Sequence, residues 1–227
     1  MTDLNRITLF AGHYGSGKTY IALNYARWLK RGGADVRVAD LDIVNPYFRT
    51  KDSARDLQAE GIGLIVSDYA NSNVDFPALP KEIYSLVADR SAKVVMDIGG
   101  DDRGALALGR YVPDILEEND YDMLAVVNAS RPLTRTAADT VEVLREIEAA
   151  CGIAFTGVVN NTNLGPDTTA ADVLASLGYA DGVAAEMGVP VRFTCAPERI
   201  AGELEGKVRD LFPLTIQRLY YQLEEKA

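Results

Sequence analysis

Residues 6–31 read RITLFAGHYGSGKTYIALNYARWLKR, and this stretch decides the fold of the 227-residue chain. Arg6–Ala11 is a short apolar run that predicts a buried β-strand. A glycine-rich turn follows it. Apolar residues at helical spacing then predict an α-helix over Lys18–Arg31, which Gly32 and Gly33 end. A strand, a glycine turn and a helix in this order are typical of a parallel α/β sheet.

The turn Gly12–Thr19 (GHYGSGKT) satisfies the phosphate-binding pattern G-x-x-x-x-G-K-[ST]. Glycines let the backbone curl until successive N–H groups point at phosphate oxygens, and the following helix directs its positive end to the same place. Lys18 is predicted to act on the β- and γ-phosphates as the catalytic cation, and Thr19 to bind Mg²⁺ through its hydroxyl. The predicted nucleotide contacts in this segment are Gly12, His13, Tyr14, Gly15, Ser16, Gly17, Lys18, Thr19 and Tyr20.

Carboxylates follow two further strand candidates. The segment KVVMDIGG carries Asp97 at the end of an apolar run, and Gly100 completes a D-x-x-G element whose N–H could reach a γ-phosphate. After the second strand, period-two alternation places Asp40 and Asp42 on one side of the chain. Asp42 is predicted to orient the attacking water, and Thr19, Asp42 and Asp97 to form the Mg²⁺ site. Asp40 fits a structural acceptor for the glycine loop.

Strand-like and helix-like segments alternate along the rest of the chain. This alternation predicts a single P-loop domain over 1–227, with about seven mostly parallel strands and helices on both faces. Further strands are predicted at Val36–Leu41, Gly63–Ser67, Lys93–Ile98, Asp122–Asn128, Ala154–Asn160 and Pro190–Thr194. Further helices are predicted at Ser53–Glu60, Pro80–Arg90, Arg103–Glu118, Thr134–Ala150, in segments up to Met187, and at Pro213–Glu225. The irregular segment Asp68–Pro80 fits an inserted lid or a partner-facing loop.

The composition argues against several classes of protein. The formal net charge of -10 argues against a nucleic-acid binder and against attraction to anionic lipid. No stretch approaches the roughly 18 apolar residues that cross a bilayer, and the first residues lack the pattern of a secretion signal, so a cytoplasmic location is predicted. Cys151 and Cys195 are predicted to be buried or idle thiols. A single histidine argues against multi-histidine metal chemistry.

In three segments the chain resembles the MinD/ParA group of P-loop ATPases, broadly the CobQ/CobB/MinD/ParA nucleotide-binding domain. The segments are GHYGSGKT at Gly12–Thr19, DLD at Asp40–Asp42 and DIGG at Asp97–Gly100. The resemblance implies ATP and Mg²⁺ as ligands. It also implies slow hydrolysis and a homodimer with the nucleotide at its interface.

The resemblance extends to the base of the nucleotide. The segment VVNNTN resembles the family's strand-end asparagine, which reads the adenine edge, and it implies Asn160 and Asn161 as base contacts. The segment CAP at 195–197 resembles the later loop that packs against the base, and it implies Ala196 and Pro197. The GTP-reading pattern N-K-x-D is absent from the chain, which favours ATP.

One position departs from the family. An extra lysine near the start of the family's loop reaches across a dimer to the partner's nucleotide. His13 stands at that place here, and Tyr14 replaces the following glycine. Neutral imidazole is a poor substitute for a fixed cation. Arg49, Arg103 or Arg110 could supply the missing charge, within the chain or across an interface.

Three functions stay open. The resemblance favours a slow Mg²⁺-dependent ATPase that acts as a nucleotide-controlled dimer switch, for a client protein or small molecule that the sequence does not identify. The first alternative is a small-molecule kinase or ATP-dependent ligase, because Arg49, Lys51 and Arg55 could hold an anionic acceptor. The second alternative is a non-hydrolysing ATP-binding regulator, in which His13 marks lost catalysis.

Overall fold

The computed structural model describes residues 5–41, 51–66, 81–99 and 108–215. The strands in these ranges are β1 (Ile7–Ala11), β2 (Val36–Leu41), β3 (Gly63–Val66), β4 (Lys93–Ile98), β5 (Tyr121–Val127), β6 (Gly157–Asn160), β7 (Val191–Pro197) and β8 (Leu211–Leu214). The helices are α1 (Lys18–Arg31), α2 (Lys51–Ala59), α3 (Lys81–Ala88), α4 (Val112–Glu118), α5 (Ala137–Cys151), α6 (Ala170–Ala175), α7 (Leu177–Met187) and α8 (Glu198–Leu204). None of the described helices combines the length and the apolar composition needed to cross a membrane.

The described strands form one parallel sheet in the order β3-β2-β4-β1-β5-β6-β7-β8. Strand β1 lies inside this sheet, between β4 and β5, and all of its residues are buried, as a strand covered on both faces requires. The chain adds β2, β3 and β4 on one side of β1 and β5 to β8 on the other. Ligands of α/β sheets bind beside such a change of direction, at the carboxyl ends of the strands.

Helices cover the two faces of the sheet separately. On one face Phe10, Val38 and Val95 pack in a core that includes α1. On the opposite face Leu9 and Met96 pack in a core that includes residues of α3, α4, α5 and α7. Successive strand residues point to opposite faces of a sheet. Asp97, two residues after Val95, therefore points to the face that α1 covers. The predicted parallel α/β sheet with helices on both faces is therefore confirmed.

The carboxyl-terminal element differs from the prediction. The sequence pattern predicts a helix from Pro213, but Leu211–Leu214 forms β8, which pairs in parallel with the end of β7. Proline has no N–H for a sheet hydrogen bond, and β8 tolerates Pro213 because it is the outermost strand of the described sheet. The predicted helix is therefore wrong at its start, and the sheet has an eighth strand. Residues 216–227 lie outside the described ranges.

Other predicted boundaries shift by a few residues, as the ends of elements commonly do. Strand β7 continues to Pro197 beyond the predicted end at Thr194, so the CAP segment ends a strand instead of forming a loop. The segment Asp68–Pro80 and the predicted helix start at Arg103 lie outside the described residues.

Both thiols are buried and free, as the sequence predicts. Burial raises the pKa of the Cys151 thiol to about 12 and raises the pKa of the Cys195 thiol well above its ordinary value. A thiol with a raised pKa stays protonated at neutral pH and is a poor nucleophile. Cys151 and Cys195 therefore act as small apolar residues of the core.

Candidate phosphate-binding site

The glycine loop joins the carboxyl end of β1 to the start of α1, and its shape depends on glycine at two positions. Gly12 has φ of 148°, and a Cβ on this residue would lie 2.4 Å from the carbonyl oxygen of Val126. Gly17 has φ of 95°, and a Cβ there would lie 2.2 Å from Nδ2 of Asn161. Both positions combine a left-handed backbone with a close neighbour, so no larger side chain fits.

Asn161 fixes the loop from the neighbouring strands. Its side-chain Nδ2 donates a hydrogen bond of 2.7 Å to the carbonyl oxygen of Ser16, and its backbone N–H donates to the carbonyl oxygen of Val127. Asn161 is buried. The loop is therefore held at a residue that follows β6 directly, although β5 lies between β6 and β1 in the sheet.

Lys18 extends back over the loop from the first turn of α1. Only 5% of its surface is exposed, and Nζ donates to the carbonyl oxygen of His13 at 3.3 Å. No side chain caps the N-terminus of α1, where Gly17 is the N-cap. The first N–H groups of a helix lack partners within the helix, so this end of α1 presents donors and a partial positive charge to the space beside Lys18.

A hydroxyl and a carboxylate meet beside the loop. Thr19, in the first turn of α1, donates from Oγ1 to Oδ2 of Asp97 at 2.5 Å. Asp97 lies near the end of β4, in register with Phe10 of β1 and with Asp40 of β2. Asp40 and Asp97 are both buried, so the carboxyl ends of three adjacent strands carry two carboxylates and the glycine loop.

This donor set fits Mg²⁺. The ion prefers oxygen ligands and is usually bound through one or two carboxylates, with water and substrate phosphates completing its shell. Among the described residues no group of three His, Cys, Asp or Glu side chains could hold a metal ion. Asp42 lies outside the described residues, so its predicted roles as a Mg²⁺ ligand and as the residue that orients water stay predictions.

A small cavity lies beneath the loop. His13 Nδ1, Ser16 Oγ and Asn128 Nδ2 are buried, and none of them has a hydrogen-bond partner among the described residues. These three residues line one cavity of about 10 Å³, which is about the size that one water molecule needs. A bound water there would satisfy polar atoms at two points of the loop and at the end of β5.

The remaining predicted loop contacts differ in exposure. Tyr14 is 60% exposed at the rim of the loop. Tyr20 is partly buried in the first turn of α1, and its carbonyl oxygen accepts a hydrogen bond from the Asn24 side chain. Gly15 lies between Tyr14 and Ser16, beside the side chain of Arg131.

The structure buries all four predicted base contacts. Asn160 has no exposed surface: its Nδ2 donates to Ser176 Oγ at 2.9 Å, and its Oδ1 accepts from the N–H and the hydroxyl of Thr162. Ala196 packs in a small apolar cluster with residues of α6 and α8, and Pro197 ends β7. Of the four, Asn161 contacts the loop, and the predicted contact of all four with adenine stays a prediction.

Sequence reasoning missed Arg131. Its Nε lies 3.4 Å from the point where a Cβ on Gly15 would stand, so the guanidinium lies against the loop. No motif marks this arginine, because its position depends on the sheet order that brings β5 beside β1. Of the arginines considered from the sequence, Arg49 and Arg103 lie outside the described residues, and Arg110 is exposed just before α4.

The chain is similar in sequence to a known protein and in fold to several solved structures. No protein-family model matches the chain. Over 202 residues the chain is 26% identical to the signal recognition particle 54 kDa protein of Methanopyrus kandleri, a match that covers 87% of this chain and 41% of that protein.

Two solved structures illustrate the likeness. FtsY of Thermotoga maritima superposes with a TM-score of 0.61 at 18% identity, over 87% of this chain and 65% of that one. The 54 kDa signal recognition particle protein of Aeropyrum pernix K1, solved in complex with GDP, superposes with a TM-score of 0.53 at 20% identity, over 86% of this chain and 42% of that one. The chain thus spans less than two thirds of the length of each of these proteins. It has the fold of the P-loop nucleoside triphosphatases.

Proposed function

We propose that the chain binds a nucleoside triphosphate with Mg²⁺ at Gly12–Thr19 and hydrolyses it slowly, as a nucleotide-controlled switch. The observation that carries this proposal is the built loop itself: Lys18 is buried over a turn that only glycine can form, next to the Thr19–Asp97 pair. Such a loop binds phosphate through backbone N–H groups, the helix N-terminus and one ammonium group.

Thr19 and Asp97 are the described residues that would hold Mg²⁺. The ion would neutralise charge on the β- and γ-phosphates during transfer. The Thr19 hydroxyl, which now donates to Asp97, would turn its lone pairs to the ion, and the carboxylate would bind the ion's water shell. Lys18 would stay beside the phosphates, and Asp42 would orient the attacking water.

We propose ATP as the nucleotide. Guanine presents two adjacent donors, which a carboxylate satisfies, and the GTP-reading pattern places an aspartate three residues after its asparagine. Asn161, the asparagine that fixes the loop, is followed by Thr162, Asn163 and Leu164, so the aspartate is missing at that spacing. GTP is the second candidate, because one of the similar solved structures carries GDP. Competition of unlabelled ATP and GTP against a fluorescent ATP analogue separates the two, and tighter binding of GTP would contradict this choice.

The switch proposal rests on the MinD/ParA resemblance of the sequence. We propose that the 227 residues fold as one cytoplasmic domain that forms a homodimer around the nucleotide. All of the described strands belong to one sheet, which supports a single domain. Size-exclusion chromatography with ATP, with ADP and without nucleotide tests the dimer, and an elution volume that never changes would contradict a nucleotide-controlled one.

The first test is nucleotide binding by calorimetry with Mg²⁺ present. Lys18→Ala is expected to weaken triphosphate binding by about tenfold to a hundredfold, because a charged hydrogen-bond donor is lost. Lys207→Ala, at an exposed lysine that lies outside the loop, is the matched control and should bind as the wild type does. Phosphate release from ATP by the wild type, absent in Lys18→Ala and Asp42→Ala, would support hydrolysis. A wild-type protein that binds no nucleoside triphosphate would refute the proposed function.

A further inference from the structure

We propose that Arg131 is a phosphate-binding cation of this site, supplied within the same chain. This inference rests on the proposed function, because it names a further residue of the same triphosphate site. Its basis is the position of Arg131, the hydrogen-bonded turn that carries it, and the lack of an ion pair with any carboxylate among the described residues.

The guanidinium of Arg131 lies directly on the glycine loop. Its Nε and Cζ stand 3.4 Å and 3.5 Å from the position that a Cβ on Gly15 would occupy. Gly15 has φ of 75°, a left-handed conformation that glycine adopts readily, and it has no side chain between its backbone and the guanidinium. Gly15 belongs to the middle of the phosphate-binding pattern, whose backbone and lysine together hold the β- and γ-phosphates. The guanidinium is thus within reach of any anion that the middle of the loop binds.

The backbone of Arg131 is held in a tight turn after β5. Its N–H donates to the carbonyl oxygen of Asn128, and the N–H of Ser130 donates to the Asn128 side chain at 2.9 Å. Thr134 Oγ1 donates to the same Asn128 carbonyl oxygen at 3.0 Å. Pro132 follows Arg131 and fixes its own φ as the next turn begins. The side chain of Arg131 is exposed, so a hydrogen-bonded backbone presents a solvent-accessible guanidinium at the loop.

Arg131 forms no ion pair with any described carboxylate, whereas other arginines of this acidic chain do. Arg27 pairs with Glu60, and Arg192 pairs with Asp122. No carboxylate among the described residues therefore neutralises the charge of Arg131, and a bound anion could do so. A positive group that lies on a phosphate-binding loop is complementary to phosphate.

The chemistry of arginine suits this role. A guanidinium offers a planar set of donors that matches two phosphate oxygens at once, and it keeps its charge where an imidazole does not. A single ammonium, that of Lys18, is the other side-chain cation placed on the described loop. Two cations and the backbone N–H groups would share the charge of the β- and γ-phosphates. Arg131 should therefore matter more for triphosphates than for monophosphates.

Calorimetric titrations of Arg131→Gln and Arg131→Lys with ATP, ADP and AMP, and in parallel with GTP, GDP and GMP, test the proposal. Arg131→Gln is expected to weaken triphosphate binding by about tenfold or more, with little change for the monophosphate. Arg131→Lys keeps the positive charge but lacks the planar set of donors, so its triphosphate affinity should lie between those of Arg131→Gln and the wild type. The salt dependence of triphosphate binding should become weaker in Arg131→Gln, because one charge contact is lost.

Arg135→Gln is the matched control, since Arg135 is an exposed arginine four positions later that also pairs with no described carboxylate. It should bind nucleotide as the wild type does, and the thermal midpoint of nucleotide-free Arg131→Gln should equal that of the wild type. If Arg131→Gln binds triphosphate as tightly as the wild type while Lys18→Ala does not, the role of Arg131 is refuted and the proposed function stands. If the wild type binds no triphosphate, both fail.

Discussion

At the scale of single residues, the contact between Gly17 and Asn161 explains how distant parts of the chain build one loop. The two residues are far apart in sequence, yet the Asn161 amide occupies the space that a side chain on residue 17 would need. Its hydrogen bond to Ser16 satisfies a buried carbonyl oxygen of the loop. Glycine and asparagine are therefore required together, one for space and one for a donor.

Replacement of Asn161 by alanine should affect both stability and binding. The Ser16 carbonyl oxygen would lose its buried donor, which typically costs about 1–3 kcal/mol of unfolding free energy. Because the loop also loses an anchor, triphosphate affinity should fall. Urea unfolding and nucleotide titration measure the two effects.

Asn5→Ala is the control for this change, since the Asn5 side chain also donates to a backbone carbonyl oxygen, that of Tyr121, but at the opposite end of the sheet. It should leave nucleotide affinity unchanged. Normal nucleotide binding by a folded Asn161→Ala protein would show that the loop does not need this anchor.

At the scale of elements, the sequence predicts the loop and its two flanking elements with their observed bounds nearly unchanged. The reason is that strand β1, the glycine turn and helix α1 carry local signals: an apolar run, fixed glycine spacing and helical periodicity. Asp97 also carries a local signal, because a carboxylate at the end of an apolar run marks the edge of the sheet where ligands bind, and its role as a Mg²⁺ ligand stays a prediction.

Other features depend on contacts that are distant in sequence. Strand β8 contains a proline and reads as a helix start, and only its position at the edge of the sheet makes it a strand. The sequence pattern predicts Asn160 as a base contact, but in the structure its side-chain amide forms hydrogen bonds with Ser176 and Thr162. Arg131 has no local signal at all, because the sheet order decides that it meets Gly15.

The end of β8 is fixed by a side chain of α1. Asn24 accepts a hydrogen bond of 2.9 Å from the N–H of Thr215, and its Nδ2 donates to the carbonyl oxygen of Tyr20. Asn24→Ala should therefore loosen the outermost strand, with a loss of about 1 kcal/mol of unfolding free energy. Hydrogen exchange should accelerate at residues 211–215, while residues 121–127 of the interior strand β5 serve as the internal reference. Unchanged exchange at 211–215 would mean that strand pairing alone holds β8.

At the scale of the whole molecule, one end of strand β1 leads to the candidate phosphate site and the other end lies beside a buried ion pair. The carboxyl end leads into the glycine loop. The amino end begins next to Arg6, which is buried and pairs with the buried carboxylate of Glu118. Arg6 also donates to the carbonyl oxygens of Leu86 and Val87 at the end of α3, and of Asp89 and Ala92 in the connection from α3 to β4. Arg6 thus joins β1, α4 and the α3–β4 connection, at the edge of the sheet that faces away from the site.

This separation predicts that stability and nucleotide binding can be changed independently. Arg6→Ala would leave the Glu118 carboxylate buried without its cation and four carbonyl oxygens without a donor. Breaking a buried pair in this way typically costs about 3–5 kcal/mol of unfolding free energy. The milder Glu118→Gln keeps a polar partner for Arg6 and should cost less, so it gives a readable result if Arg6→Ala does not fold. Triphosphate affinity of the folded protein should stay unchanged in either variant, because neither residue lies at the loop.

Arg145→Ala is the matched control for the stability loss. Arg145 is 53% exposed and pairs with Glu148 one helical turn away, and such surface pairs contribute about 0–1 kcal/mol. In urea unfolding, the unfolding free energy of Arg145→Ala should therefore be close to that of the wild type, and that of Arg6→Ala should be far lower. If Arg6→Ala unfolds at the wild-type urea concentration, the buried pair does not stabilise the sheet. If it folds but loses nucleotide, the two ends of β1 are coupled, and the loop depends on the far edge of the sheet.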